Sequence, residues 1–539
     1  MATMAAGRIQ TGVVEILEMS RFPEHVARRT PAQARLDMML VSGGDERIWL
    51  DPVTRRNRHG APASPAAEEL WFSCAEGNPI SPRGYAAATR AFYAHANMGA
   101  NPAALFANIR ARIAALIGLP GVEVALTASG AETEYAALAV ARALLDRPIT
   151  TIMVEPEECC DGATAAAVGT HLGDTAAFAS HVEKGAPLSG WDEEILLRRI
   201  DLRDEKGQPR PSFQIDCAAA QEVAAALAAH RAPILHVLDS SKTGRAGPSR
   251  EAARAIAASM GERGLVIVDA CQLRCSFEEI RADLEAGFLV MITGSKFAGG
   301  PAFCGALLIP PGMATRLREM ALPAGLAAYT ARFDWPDCFA NAFSSGGFAP
   351  GNLGLALRWV AALSEMEVYA ATPASLREAI VARYTETVRR TVASSFGLDF
   401  LDADCWRLGR LATIYPIITL GADSFQTRRL HEALATPLGA AEHPEFNQIC
   451  RLGRPKVANG HASLTVSLSM PQINAVAERV GRNMDLDAAF LPLRRDIDLL
   501  FRKWDALLRG DDATERRIAR PVNDSVAPAE ALRARLGVR

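Results

Sequence analysis

From residue 122 onward the chain alternates two patterns. Short apolar runs, "VEVALTA" (122–128), "ITTIMVE" (149–155), "APILHVLD" (232–239), "GLVIVDA" (264–270), "LVMITG" (289–294) and "GALLIP" (305–310), are rich in β-branched residues and too brief for helices. They predict strands buried on both faces. Between several of them lie Ala-rich stretches, "AETEYAALAVARALL", "AAAQEVAAALAAH" and "SREAARAIAASMGERG", with apolar residues at three- and four-residue intervals. These predict helices. The alternation predicts an α/β fold: a mostly parallel sheet sandwiched by helices. In such sheets ligands bind beyond the carboxyl ends of the strands.

The pattern changes at both ends of this region. Residues 1–75 are polar and broken and read as an N-terminal extension of loops around one short strand. Helical periodicity begins near Gly84, and 76–354 forms the predicted large domain. Long helices over Leu355–Ala370 and Ala374–Ser394, then strands in "RLATIYPIITL" and "ASLTVSLSM", predict a smaller α+β C-terminal domain over 355–508. Residues 509–539 are charged, interrupted by proline, and read as a tail.

Composition narrows the classes. With 49% hydrophobic and 22% charged residues and a net charge of −3, the chain reads as an ordinary soluble globular protein with no electrostatic case for nucleic acid or a membrane surface. The longest apolar candidate for a membrane span carries Lys296 at its middle, and Glu15 and Glu18 interrupt the amino-terminal stretch where a signal peptide needs apolar residues. The 10 cysteines lack paired metal-type spacing, so no metal site is expected. Reduced thiols and a cytoplasmic location follow.

The chemistry gathers at polar strand ends. In "LTASGAETEY", Ser129-Gly130 closes a strand where a helix begins. Such a turn lets backbone N–H groups meet an anion, although an N-cap by Ser129 with a capping box through Glu132 explains the same residues. "VDACQ" ends a strand with Asp269 and Gln272. "MITGSKFAGG" sets Lys296 among small residues, an unusual place for an ammonium without a task. An anion cradle, an acid, an amide and a lysine at strand ends are the parts that hold pyridoxal 5'-phosphate, with phosphate on the cradle, ring nitrogen on the acid and aldehyde on the lysine.

"VDACQ" followed by "TGSKFAGGPAFCGALLIP" resembles the aminotransferase class V group of fold-type I pyridoxal-phosphate enzymes, which includes cysteine desulfurases and kynureninases. The resemblance spans about residues 75–360 and implies a fold-type I large domain. It further implies Asp269 on the pyridine nitrogen, Gln272 near the ring hydroxyl and Lys296 as Schiff-base lysine and proton shuttle. Thr293 and Ser295 fall at phosphate-binding positions, Ser295 replacing a His. "SGAETE" matches the phosphate turn at Ser129, Gly130 and Ala131, with Ala131 replacing a Thr. "HVLDSSKTG" suggests Asp239 or Ser240 facing the ring. "FSSGGFAPGN" resembles the segment that reaches the other subunit's phosphate, implicating Gly346 and Gly347 and a homodimer with a shared site. Lys242, the rival lysine, reads as a surface charge.

The reaction is less legible. Transamination of an amino acid or related amine is the default expectation. A lyase, a decarboxylase, a kynureninase-like hydrolase, and a non-catalytic binding homologue of the fold are the alternatives. No aromatic ring follows "TTIMVE" to stack on the cofactor, and His171 is the imidazole of that stretch. Arg451 and Arg454 in "CRLGRPK" are candidate carboxylate clamps, though solvation is the commoner fate of such arginines.

Overall fold

The computed structural model describes residues 30–509, apart from 99–100, 160–161, 192–193, 396, 403–411, 440–442 and 459. The predicted tail beyond 509 therefore lies outside the described residues.

The large sheet contains seven strands: β2 (Glu123–Thr127), β3 (Ile149–Val154), β4 (Leu196–Ile200), β5 (Ala232–Leu238), β6 (Leu265–Ala270), β7 (Leu289–Thr293) and β8 (Gly305–Ile309), in the order β2-β8-β7-β6-β5-β3-β4. The pairs β4–β3, β3–β5, β5–β6 and β6–β7 are parallel. β8 is antiparallel to both its neighbours, β7 and β2. Six of the seven strands therefore point one way and bring their carboxyl ends to one edge. β8 begins at that edge.

All six predicted runs are strands. Their residues are nearly all buried, and each fully buried Val, Leu or Ile contributes about 1.5–3 kcal/mol relative to exposure. β4 escaped the pattern. It is an edge strand, "LLRRI", with Arg198 and Arg199 exposed, so it carries no apolar run. Helices Gly130–Leu144, Ser212–Ala228 and Arg250–Met260 occupy the Ala-rich stretches, and helices Leu353–Ala371 and Ala374–Ser394 fall where periodicity predicted them.

The smaller sheet runs β1-β11-β12-β10-β9, from β1 (Leu70–Phe72), β9 (Leu398–Phe400), β10 (Ile414–Thr419), β11 (Cys450–Ala458) and β12 (His461–Ser467). β1 comes from the segment read as an extension and pairs parallel to β11, Leu70 opposite Cys450. The N-terminal segment is pinned from below as well. Arg358, fully buried, donates to the carbonyls of Phe303, Leu40 and Ser42 at 2.5, 3.2 and 2.5 Å. No helix among the described residues is long and apolar enough to cross a membrane.

Candidate functional site

The carboxyl edge of the large sheet opens into a pocket. Ser129, Gly130 and Ala131 line it beyond β2, Ser240 and Lys242 beyond β5, Asp269, Cys271 and Gln272 at and past the end of β6, and Thr293, Ser295 and Lys296 at and past the end of β7. Topology alone explains the gathering, since each residue sits where a parallel strand stops. The cleft is narrow. About 660 Å3 lies between its walls, mouth included. Five long cationic side chains line it, Arg47, Arg58, Lys242, Lys296 and Arg454. Their ends can swing between rotamers where backbone cannot.

At the anion end, Ser129 caps helix Gly130–Leu144 and accepts from the Glu132 N–H at 3.3 Å. The expected capping box is only half built. Among the described residues Glu132 Oε1 is buried without a partner, and burial, with Asp45 nearby, pushes this carboxyl up to about 8. Arg47 donates to Ser129 Oγ at 3.0 Å, pairs with Asp45 at 2.6 Å, and lies 4.9 Å above the Phe303 ring. Gly130 is closely packed: a β-carbon there would stand 3.0 Å from Thr293 Cγ2 and 3.1 Å from Cys271 Sγ, tighter than most real contacts. The first-turn N–H groups of the helix thus approach the pocket backbone-first, with the positive end of the helix dipole behind them.

Asp269 ends β6 half-buried and accepts from the Cys271 N–H at 3.0 Å. Behind it, on β5, His236 binds Glu134 at 2.9 Å. Burial opposes a charge on that imidazole, but Glu134, with Asp269 beyond it, outweighs burial and holds His236 above the ordinary value of 6.5. Replacing His236 with Asn leaves Glu134 buried without its counter-charge, an expected loss of about 3–5 kcal/mol in urea unfolding near pH 6. A raised folded-state value means the contribution is complete below about pH 6.5 and fades as pH climbs through the raised value. The deficit of the variant should therefore shrink in alkaline buffer.

Gln272 donates to the Ala75 carbonyl at 2.9 Å, and its Oε1 is buried with no partner among the described residues. Lys296 is 8% exposed. Its carbonyl accepts from Asn78 at 2.8 Å and from the Gly299 N–H at 2.9 Å, and Gly300 closes the turn onto the Gly294 carbonyl at 2.9 Å. Gly299 has φ +73° and packs on Pro471, so this tight turn admits no side chain there. Among the described residues no carboxylate is ion-paired with Lys296.

Lys242 corrects the sequence reading. It is buried, not a surface charge, and its Nζ lies 3.5 Å from Glu76 Oε1. Glu76 also meets Arg454 at 3.3 Å and Lys456 at 3.6 Å. Burial would raise its pKa, but Lys242, Lys456 and Arg454 overcome burial and hold the carboxyl far below its usual range. An ammonium tied to such a carboxylate is a poor nucleophile.

Asp239 does not join the pocket. Its carboxylate binds Arg250 at 2.9 Å, while neighbouring Ser240 lines the pocket instead. Gly346 and Gly347 lie outside the lining, Gly347 against Ala327, and Asn352 caps helix Leu353–Ala371 and donates to the Gly43 carbonyl. Thr293 Oγ1 is committed to the Cys271 carbonyl at 2.6 Å. Of the two candidate clamps, Arg454 lines the pocket, whereas Arg451 pairs with Glu69 at 3.2 Å. His171 stacks on Tyr329, its Nδ1 2.6 Å from the hydroxyl, and is not among the lining residues.

Sequence reasoning missed Arg47, Arg58, His59 and Glu76. All come from the N-terminal segment or its junction, where no periodicity marks them. Among the described residues there is no His, Cys, Asp or Glu cluster able to hold a metal, and no disulfide.

The residues fit pyridoxal 5'-phosphate. Gln272 Oε1 is a buried acceptor awaiting a donor, the Gly130 turn is kept clear of side chains, and a carboxylate and an amine flank the same cleft.

No protein-family model and no curated protein matches this chain. Its course is similar to that of solved structures. A NifS-like protein from Rickettsia africae is 12% identical with a TM-score of 0.49, covering 82% of this chain and 99% of its own. Mouse CSAD is 13% identical with a TM-score of 0.46, covering 80% and 84%. A phosphoserine aminotransferase from Cytophaga hutchinsonii is 12% identical with a TM-score of 0.45, covering 78% and 99%.

Proposed function

We propose that this protein is a pyridoxal-phosphate-dependent enzyme that acts on an amino acid or related amine through Lys296, with transamination as the default reaction. One convergence carries this: Lys296, the Asp269–Gln272 strand end and the Ser129–Ala131 turn, from three separate segments of the chain, line a single pocket. When bound, the cofactor supplies an electron sink for charge developing at the substrate's α-carbon.

The chain's own residues do the rest. The Ser129–Ala131 turn, Ser295 and Arg47 hold the phosphate. Asp269 keeps the pyridine nitrogen protonated, and the Glu134–His236 pair behind it fixes the local field. Gln272 accepts from the ring hydroxyl. The Lys296 amine, carried on its glycine turn, would hold the cofactor and, when free, would carry a proton to or from the substrate's α-carbon. Arg454 orients a carboxylate. A homodimer belongs to the same reading, with Gly346 and Gly347 of one chain reaching the phosphate held by the other.

Purified protein incubated with pyridoxal phosphate is expected to turn yellow. The colour should bleach or shift with the right amine in a screen of amino acids, and product analysis then identifies the bond broken. A protein that stays colourless through dialysis against excess cofactor sinks this function and favours a non-catalytic binder.

A further inference from the structure

His59 lines the pocket with both ring nitrogens buried and without a hydrogen-bond partner among the described residues. Buried polar atoms in native proteins are nearly always satisfied, so an imidazole in this state on a pocket wall is set for a ligand. The loop that carries the ring is braced by hydrogen bonds, and the ring itself by packing. Asn57 Oδ1 accepts from the N–H groups of His59 and Ala61 at 2.9 and 3.1 Å, and Arg56 donates to the Gly60 carbonyl at 2.7 Å, closing the loop. Gly77 packs so tightly that a β-carbon there would lie 3.3 Å from His59 Cγ. On another side the Phe303 ring meets the imidazole edge-on, centroids 5.1 Å apart.

The surroundings are cationic. Burial drives the imidazole down to about 3, Glu76 opposes this, and Arg454, Arg47 and Lys242 reinforce it. His59 is therefore neutral at working pH, with one N–H to donate. An electropositive recess with a neutral donor suits an anionic oxygen.

Resting on the cofactor reading above, we propose that His59 binds the substrate's carboxylate, donating its ring N–H to a carboxylate oxygen within electrostatic reach of Arg454. The site thereby selects amino acids over amines that lack a carboxylate. Two carbonyl-reactive probes test this, because aminooxyacetate carries a carboxylate and methoxyamine does not. Both consume the absorbance of lysine-bound cofactor.

His59→Phe keeps the ring and removes both nitrogens. It is expected to raise the aminooxyacetate concentration needed by about tenfold, the scale of a lost hydrogen bond to a charged group, and to leave methoxyamine unchanged. His59→Gln, which restores a donor, should recover most of the loss, and thermal unfolding near the wild-type midpoint shows both variants intact. Equal shifts for the two probes, or none for aminooxyacetate, overturn the assignment. A wild type that takes up no cofactor overturns the cofactor reading and this inference together, which separates the two failures.

Discussion

Lys296→Ala is expected to give a folded, colourless protein that binds pyridoxal phosphate only reversibly and has lost activity by about 10^4-fold or more, the scale on which removal of a nucleophile disables a covalent catalyst. Two lysines line the pocket, so the control matters. Lys242 sits 3.5 Å from Glu76, and its ammonium serves that buried carboxylate. Lys296 stands on a turn closed by Gly299 and Gly300, with its carbonyl fixed by Asn78. Lys242→Ala should therefore keep the yellow colour. Borohydride reduction of wild type followed by mass mapping would place the modified peptide; a label on Lys242 in place of Lys296 would refute the assignment.

The second large effect is at Asp269. Asn is nearly isosteric and its side-chain oxygen can still accept from the Cys271 N–H, so the strand end survives. A neutral amide cannot keep the ring nitrogen protonated. Asp269→Asn is expected to retain cofactor and lose about 10^2- to 10^3-fold in kcat, the cost typical of removing one preorganised electrostatic contact. Unchanged turnover would contradict the role. Because Asp269 also helps hold the proton on His236, the variant should bring the His236 titration closer to its ordinary value, measurable by NMR.

The strand-end residues that line the pocket were readable because each piece is local. Asp269 and Gln272 lie three residues apart after one apolar run, and Lys296 follows the next run on a glycine turn. The sheet was readable for a related reason: strands buried on both faces must be apolar throughout. What stayed hidden depends on partners distant in sequence. Lys242 could be buried only because Glu76, from far earlier in the chain, is buried with it, and nothing near Lys242 announces that pairing. His59 and Arg47 stand in a stretch shaped by turns and caps, where hydrophobic periodicity is silent. Of the pair Asp239 and Ser240, the pattern could not say which meets the pocket: Ser240 lines it, while Arg250 from the following helix binds the Asp239 carboxylate.

The placement of β1 has a consequence for how this protein can be dissected. Leu70–Phe72 covers the flank of β11, and the same stretch of chain carries His59 and Arg47 into the cleft. Trimming the molecule to a minimal catalytic fragment starting near residue 76 would strip the cleft of one wall and uncover a row of backbone donors and acceptors on β11. Such a fragment would tend to clump through that bare flank, so its inactivity would reveal nothing about the chemistry.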